Sequence, residues 1–297
     1  YILTLSFNYL MLDKIAPLKI TYFLDLIRFS KPIGFMLLLW PCWFALTLVP
    51  HKSFDLFKWY FLFLAGAFLM RSAGCIINDL VDIKIDKNIT RTANRPLTSK
   101  KISILEALIF LFILLLLSLI ILLQFNFLTI VIALLSFPFI IIYPFMKRYT
   151  YWPQLMLGIV FSWGIIMVNF QFSNSLTFNY IILYIGCVFW TLAYDTIYAY
   201  QDFEDDKKNS IKSTAILFNT RGILFVKLFY LIFFSIIGYL SWQTNHNFYS
   251  LIVIIMFIFV MYKILNKWKP TIRNSSNYYF KLNNIIGLCC FLFLLIF

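Results

Sequence analysis

Charged side chains are scarce in this 297-residue chain. They make up 12% of it, about half of the roughly 25% usual in a soluble domain. That deficit excludes a surface that water could cover. Histidine occurs twice, at His51 and His246, and cysteine five times, at Cys42, Cys75, Cys187, Cys289 and Cys290. The cysteines lie in or at the ends of apolar runs without metal-ligand spacing, and the adjacent Cys289 and Cys290 point about 100° apart on a helix. They read as small buried hydrophobes, not as a disulfide framework or a thiolate metal centre. The first twelve residues are too short to span a bilayer and lack a basic segment and a small-residue cleavage site, so no signal peptide is expected there.

What fills the chain instead is apolar: 62% of residues are hydrophobic and the mean hydropathy is +0.87. A membrane span needs roughly 20 such residues. The segments 32–50, 57–77, 102–123, 127–146, 153–171, 178–199, 222–242, 248–268 and 280–297 qualify. The expected fold class is therefore all-α, a multi-pass membrane protein of about nine transmembrane helices around a central cavity. Residues 1–297 form a single membrane domain, in which spans 1–4 (32–146) and 5–8 (153–268) could be pseudo-repeats before a ninth helix. Tyr22 to Ser30 reads as a short interfacial helix.

Charge sorting tests this segmentation. With nine spans, one side collects Lys14, Lys19, Arg28 and Lys31, the basic loop from Lys84 to Lys101, Lys147 and Arg148, the run from Lys207 to Lys227, and Lys263 to Lys281. The other side holds only Lys52 and Lys58, and Arg71 sits inside span 2. The positive-inside rule puts the basic side in the cytoplasm of a bacterial inner membrane, or in the matrix of a mitochondrion. The net charge of +13 is thus a topology signal. The expected partner is the bilayer and not nucleic acid, and oligomeric state is left open.

Most carboxylates share that basic side. Asn78, Asp82 and Asp86 recur at i, i+4, i+8 and stack along one helical face. Two carboxylates and an amide oxygen so spaced suit a hard cation such as Mg²⁺, which keeps positions for water and phosphate. The same spacing would also fit a solvated helix end. The second cluster weighs against that. Asp195, Tyr198, Asp202 and Asp206 follow at i, i+3, i+7, i+11, with Glu204 and Asp205 beside them. Asp195 lies deepest, where an unsolvated carboxylate costs about 2.5–3.5 kcal/mol or more. Two such clusters on one side could clamp Mg²⁺ against both flanks of a diphosphate. Arg91, Arg95, Lys147, Arg148 and Lys212 supply cationic donors for its oxygens. The histidines lie on the far side and receive no catalytic role.

These residues carry a resemblance. Asn78 to Asp86, continuing through Arg91-Thr92-Ala93-Asn94-Arg95-Pro96-Leu97, resembles the first signature of the UbiA-type membrane prenyltransferases. Tyr194 to Asp202, with Glu204-Asp205-Asp206 and Lys212-Ser213-Thr214-Ala215, resembles the second. Tyr143 to Arg148, Pro153-Gln154 and Arg28 to Gly34 also fit. The set is most similar to the 4-hydroxybenzoate polyprenyltransferase branch of ubiquinone synthesis. It departs from that branch at Asn209-Ser210-Ile211, where glycine is frequent. The resemblance implies Mg²⁺-dependent transfer of a polyprenyl group from its diphosphate to the ring carbon ortho to the hydroxyl of 4-hydroxybenzoate. It implies metal ligation by Asn78, Asp82, Asp86, Asp202 and Asp206, and diphosphate binding by Arg91, Lys147, Arg148 and Lys212. Tyr143, Tyr194 and Tyr198 would face an allylic cation, and Arg28 or Arg71 would hold the acceptor carboxylate. The alternatives are a family member with a haem, naphthoate or chlorin acceptor and a cation-coupled transporter. A transporter would place its carboxylates nearer the membrane midplane.

Overall fold

A computed structural model describes residues 18–50, 56–87, 89, 92–246 and 248–297. Residues 1–17, His51 and Arg91 lie outside them. The described residues form thirteen α-helices and no strand. They are α1 (Leu18–Leu26), α2 (Ile33–Thr47), α3 (Leu56–Asp86), α4 (Ile104–Leu122), α5 (Phe127–Leu135), α6 (Phe137–Tyr149), α7 (Pro153–Phe172), α8 (Phe178–Ala199), α9 (Phe203–Lys208), α10 (Thr214–Phe218), α11 (Gly222–Asn245), α12 (Phe248–Leu265) and α13 (Arg273–Ile296).

Among the described residues, eight helical runs are long and apolar enough to cross a membrane. They match the last eight of the nine expected spans. The first expected span is realised as α2, whose 15 residues rise only about 22 Å against a hydrocarbon core of about 30 Å. Large apolar side chains stand outward on the long runs, among them Phe112 (66% exposed) on α4 and Phe127 (77%) on α5. Water would not tolerate such faces, and lipid requires them. The protein is an integral membrane protein. The interfacial helix expected over 22–30 is instead α1, and the fourth span is broken at Ser136, because Pro138 cannot donate a backbone hydrogen bond.

The chain packs as two compact units. One comprises the described residues of 1–36 with 64–124, the other those of 37–63 with 125–297. In the first, Leu26 and Ile27 pack with Ala73 and Ile76 of α3, Leu97 and Ile102 of the following loop, and Ala107 and Leu114 of α4. This core fixes the loop that leaves α3. A capping box then starts α4: the Ser103 backbone N–H donates to Glu106 Oε2 at 2.9 Å, and Glu106 N–H donates back to Ser103 Oγ.

In the second unit, Trp190 is fully buried and stacks on Phe233 with centroids 5.1 Å apart. Its indole N–H donates to Asn283 Oδ1 at 2.9 Å, and Tyr230 Oη donates to the same oxygen at 2.8 Å. Asn283 Nδ2 donates to the Tyr279 carbonyl. One buried amide thereby ties α8, α11 and α13. Replacing it strands two buried donors, each costing about 1–3 kcal/mol. Asn283→Leu is therefore expected to lower thermal stability by about 2 kcal/mol or more. The check is detergent-resistant thermal unfolding, and an unchanged melting temperature would show that the amide does not hold the three helices.

Candidate active site

The first acidic cluster is built on the last turns of α3. Asp82 and Asp86 are 1% and 3% exposed. A solvated helix end would leave them open, so burial rules that reading out. Asn78 sits half-buried one turn before Asp82. Asp79, 1% exposed, accepts from Arg28 Nη2 through both carboxylate oxygens, at 2.7 and 2.8 Å, and from Arg95 Nη1 at 2.9 Å. Arg95 Nη1 also donates to Asp86 Oδ2 at 2.7 Å. Thr92 Oγ1 donates to the Asp86 carbonyl, anchoring the loop to the helix end.

Arg28 reaches this network because of how α1 stops. Its φ is 59°, the left-handed conformation usually left to glycine. Phe29 N–H bonds back to the Leu24 carbonyl and Arg28 N–H to that of Asp25, a Schellman ending. Arg28 Nη1 donates to the Asp25 carbonyl at 3.0 Å, so both terminal nitrogens are engaged within the protein. Arg71 is placed differently. It lies two turns before Asn78 and packs over Gly34, where an added Cβ would fall 2.9 Å from Arg71 Nε.

The second cluster straddles the end of α8. The chain tightens into a 3₁₀ turn at Tyr200–Asp202 before α9 begins. Asp202 and Asp206 both end up 9% exposed, while Glu204 is exposed and Asp205 half-exposed. Past this turn Asp206, and not Asp205, is buried like Asp202. Asp195 and Tyr198 are half-buried upstream, and the Tyr198 ring lies 4.7 Å from that of Phe280. Tyr194 is buried and bonded to Thr191 Oγ1. Arg273, at the start of α13, donates to Asp202 Oδ1 at 2.9 Å and lies 3.8 Å from Asp205. Sequence reasoning assigned Arg273 to topology alone, because nothing in the local pattern links it to a residue 71 positions earlier.

Backbone bonds join the Lys212 segment to this cluster and to Lys147. Ile211 N–H donates to the Asp206 carbonyl and Lys212 N–H to that of Lys147, both at 2.9 Å. Lys212 Nζ donates to the Tyr149 carbonyl at 3.1 Å. Buried Gln154 accepts from Thr214 N–H at 3.0 Å, and Thr214 Oγ1 pairs with Thr196 Oγ1 at 2.7 Å, so α7 and α8 both hold the Lys212-Ser213-Thr214 segment. Arg148 is exposed at the end of α6, its guanidinium 5.5 Å from the Phe145 ring centre, and Tyr143 is half-buried one turn earlier. Ser210 adopts a φ of 55°. A glycine in this loop is thus explained by backbone need, and here serine carries the strain.

The donor set suits a hard cation. Asn78, Asp82 and Asp86 offer only oxygen, as do Asp202 and Asp206, which fits Mg²⁺-like ions and not thiophilic ones. Among the described residues, no three carboxylate, imidazole or thiol groups lie close enough to hold one ion between them. Any ion here would draw further oxygens from amide, water or phosphate.

The model of the UbiA prenyltransferase family matches residues 38–285. The chain belongs to this family. Its relatives include the 4-hydroxybenzoate octaprenyltransferase of Blochmanniella pennsylvanica, 39% identical over 272 residues, spanning 90% of this chain and 92% of that one. The mitochondrial 4-hydroxybenzoate polyprenyltransferase of Dictyostelium discoideum is 41% identical over 216 residues, 72% of this chain and 47% of that protein. Among solved structures, an apo UbiA homolog from Aeropyrum pernix K1 superposes with a TM-score of 0.69 at 19% identity, covering 87% of this chain and 97% of its own. A UbiA homolog from Archaeoglobus fulgidus bound to GPP and Mg²⁺ gives 0.67 at 17% identity, covering 93% and 100%. At such identities the likeness establishes the UbiA prenyltransferase fold alone.

Proposed function

We propose that this UbiA family member transfers a polyprenyl group from its diphosphate to the ring carbon ortho to the hydroxyl of 4-hydroxybenzoate, in ubiquinone biosynthesis. The observation that carries the reading is the burial of the carboxylates Asp202 and Asp206 at the end of α8, with backbone bonds joining the Ile211-Lys212 segment to Asp206 and to Lys147. Buried carboxylates on a chain segment that also carries lysines suit a diphosphate that arrives with divalent metal. Relatives of similar length carry that activity in their names.

Asn78, Asp82 and Asp86 would hold divalent metal, as would Asp202 and Asp206, and we take that metal to be Mg²⁺. When bound, it neutralises negative charge building on the departing diphosphate. Lys147, Arg148 and Lys212 donate to the diphosphate oxygens, and Arg91 completes the set proposed from sequence. The allylic C–O bond breaks, and the ring carbon takes the allylic carbon and gives up its proton. The Tyr198 face can stabilise the cationic carbon. Arg28, which is also bonded to Asp79 through both carboxylate oxygens, or Arg71 would hold the acceptor carboxylate. We take residues 1–297 as one membrane domain of an inner membrane, its motif loops on the cytoplasmic or matrix side as the charge sorting suggests.

The test is mass spectrometry of products formed by purified protein from mixed polyprenyl diphosphates and several aromatic acids, with and without Mg²⁺. Prenylated 4-hydroxybenzoate formed only with divalent metal is expected. A naphthoate, haem or chlorin product in its place would overturn the acceptor and leave the family intact.

A further inference from the structure

Asp79 belongs to none of the ligand positions read from the helical spacing. It leaves α3 about 100° around from Asn78, yet seven residues before Asp86 it stands nearly in line with that carboxylate, two turns away. A single nitrogen, Arg95 Nη1, spans the gap, donating to Asp79 at 2.9 Å and to Asp86 at 2.7 Å. A donor divided between two carboxylates holds each less tightly than it would hold one. Arg28 is fixed by the Schellman ending and by its own bonds to Asp79, so the sharing is imposed by the fold and not by surface side chains.

We propose that Asp79 is a positioning residue: by sharing Arg95 with Asp86, it sets how readily Asp86 takes a cation. This rests on the reading of Asp86 as a metal ligand. Asp79 then acts through Arg95 and does not touch the ion. Without Asp79, Arg95 turns wholly to Asp86 and competes with the metal. Without Arg95, the competition ends whatever stands at position 79. Helix stability alone would not produce that order of effects.

The experiment titrates Mn²⁺ alone into purified protein in lipid nanodiscs, followed by electron paramagnetic resonance, for wild type, Asp79→Asn, Arg95→Gln and the double variant. Asp79→Asn is expected to weaken Mn²⁺ binding about tenfold, the scale of one charge-assisted hydrogen bond. Arg95→Gln should bind more tightly than wild type, and the double variant should match Arg95→Gln within about twofold. A double variant weakened as much as Asp79→Asn would mean that Asp79 ligates the ion itself, and the proposal would fall. It would also fall if both single variants bound as wild type does. Should Asp79→Asn fail to fold, Arg95→Gln alone decides, since binding no tighter than wild type contradicts the competition. Wild-type protein that holds no Mn²⁺ overturns the metal reading and this proposal together, whereas clear binding insensitive to both positions overturns this proposal alone.

Discussion

Asp82→Asn is expected to lower kcat by about 10³-fold, the scale of losing a group that stabilises charge in the transition state, while leaving the protein folded. The substitution keeps the side chain's shape and removes its charge. Asp82 is 1% exposed on a helix that buries Asp79 and Asp86 beside it. A neutral amide of nearly the same shape preserves the packing of that helix, so the protein should still fold. The informative pairing is thus a near-dead enzyme that remains folded. Steady-state turnover across a Mg²⁺ series, with thermal unfolding of the same sample, measures both. Near-normal activity at limiting Mg²⁺ would remove Asp82 from the site.

The second large effect is a contrast between neighbours. Asp206→Asn is expected to cost about 10²–10³-fold in turnover, and Asp205→Asn no more than a few-fold. Both changes remove one charge from one short helix, so a purely electrostatic surface effect would make them equal. The 3₁₀ turn at Tyr200–Asp202 makes them unequal, burying Asp206 with Asp202 and turning Asp205 toward solvent and Arg273. Equal losses at the two positions, measured as kcat and as KM for the prenyl donor, would contradict this assignment.

The same turn shows where sequence reading stops. Apolar runs of about 20 residues announced the long helices, because lipid leaves no other way to satisfy the backbone. The ladder Asn78, Asp82, Asp86 was legible because α3 keeps its period through Asp86. Past Ala199 the period changes from 3.6 to 3.0 residues per turn, so spacing could not choose between Asp205 and Asp206. Arg28 was read as a topology charge and as a candidate for the acceptor carboxylate, and Arg273 as a topology charge alone. Their bonds to Asp79 and Asp202 depend on the left-handed residue that ends α1 and on the packing of α13, and spacing shows neither. Arg148 is exposed at the end of α6, between Lys147 and Tyr149, whose carbonyls both accept from Lys212.

The bonds that α13 makes also set an order of events during synthesis. Trp190 and Asp202 leave the ribosome with α8 and its end, but their partners Asn283 and Arg273 follow 93 and 71 residues later. At about 5–20 residues per second, that delay is roughly 4 to 20 s. Through that interval the Trp190 indole N–H and Asp202 stand in the nascent membrane protein without the bonds to Asn283 and Arg273. Those two bonds form only after α13 has inserted, and defects in α13 should surface first as failed assembly, before any loss of chemistry.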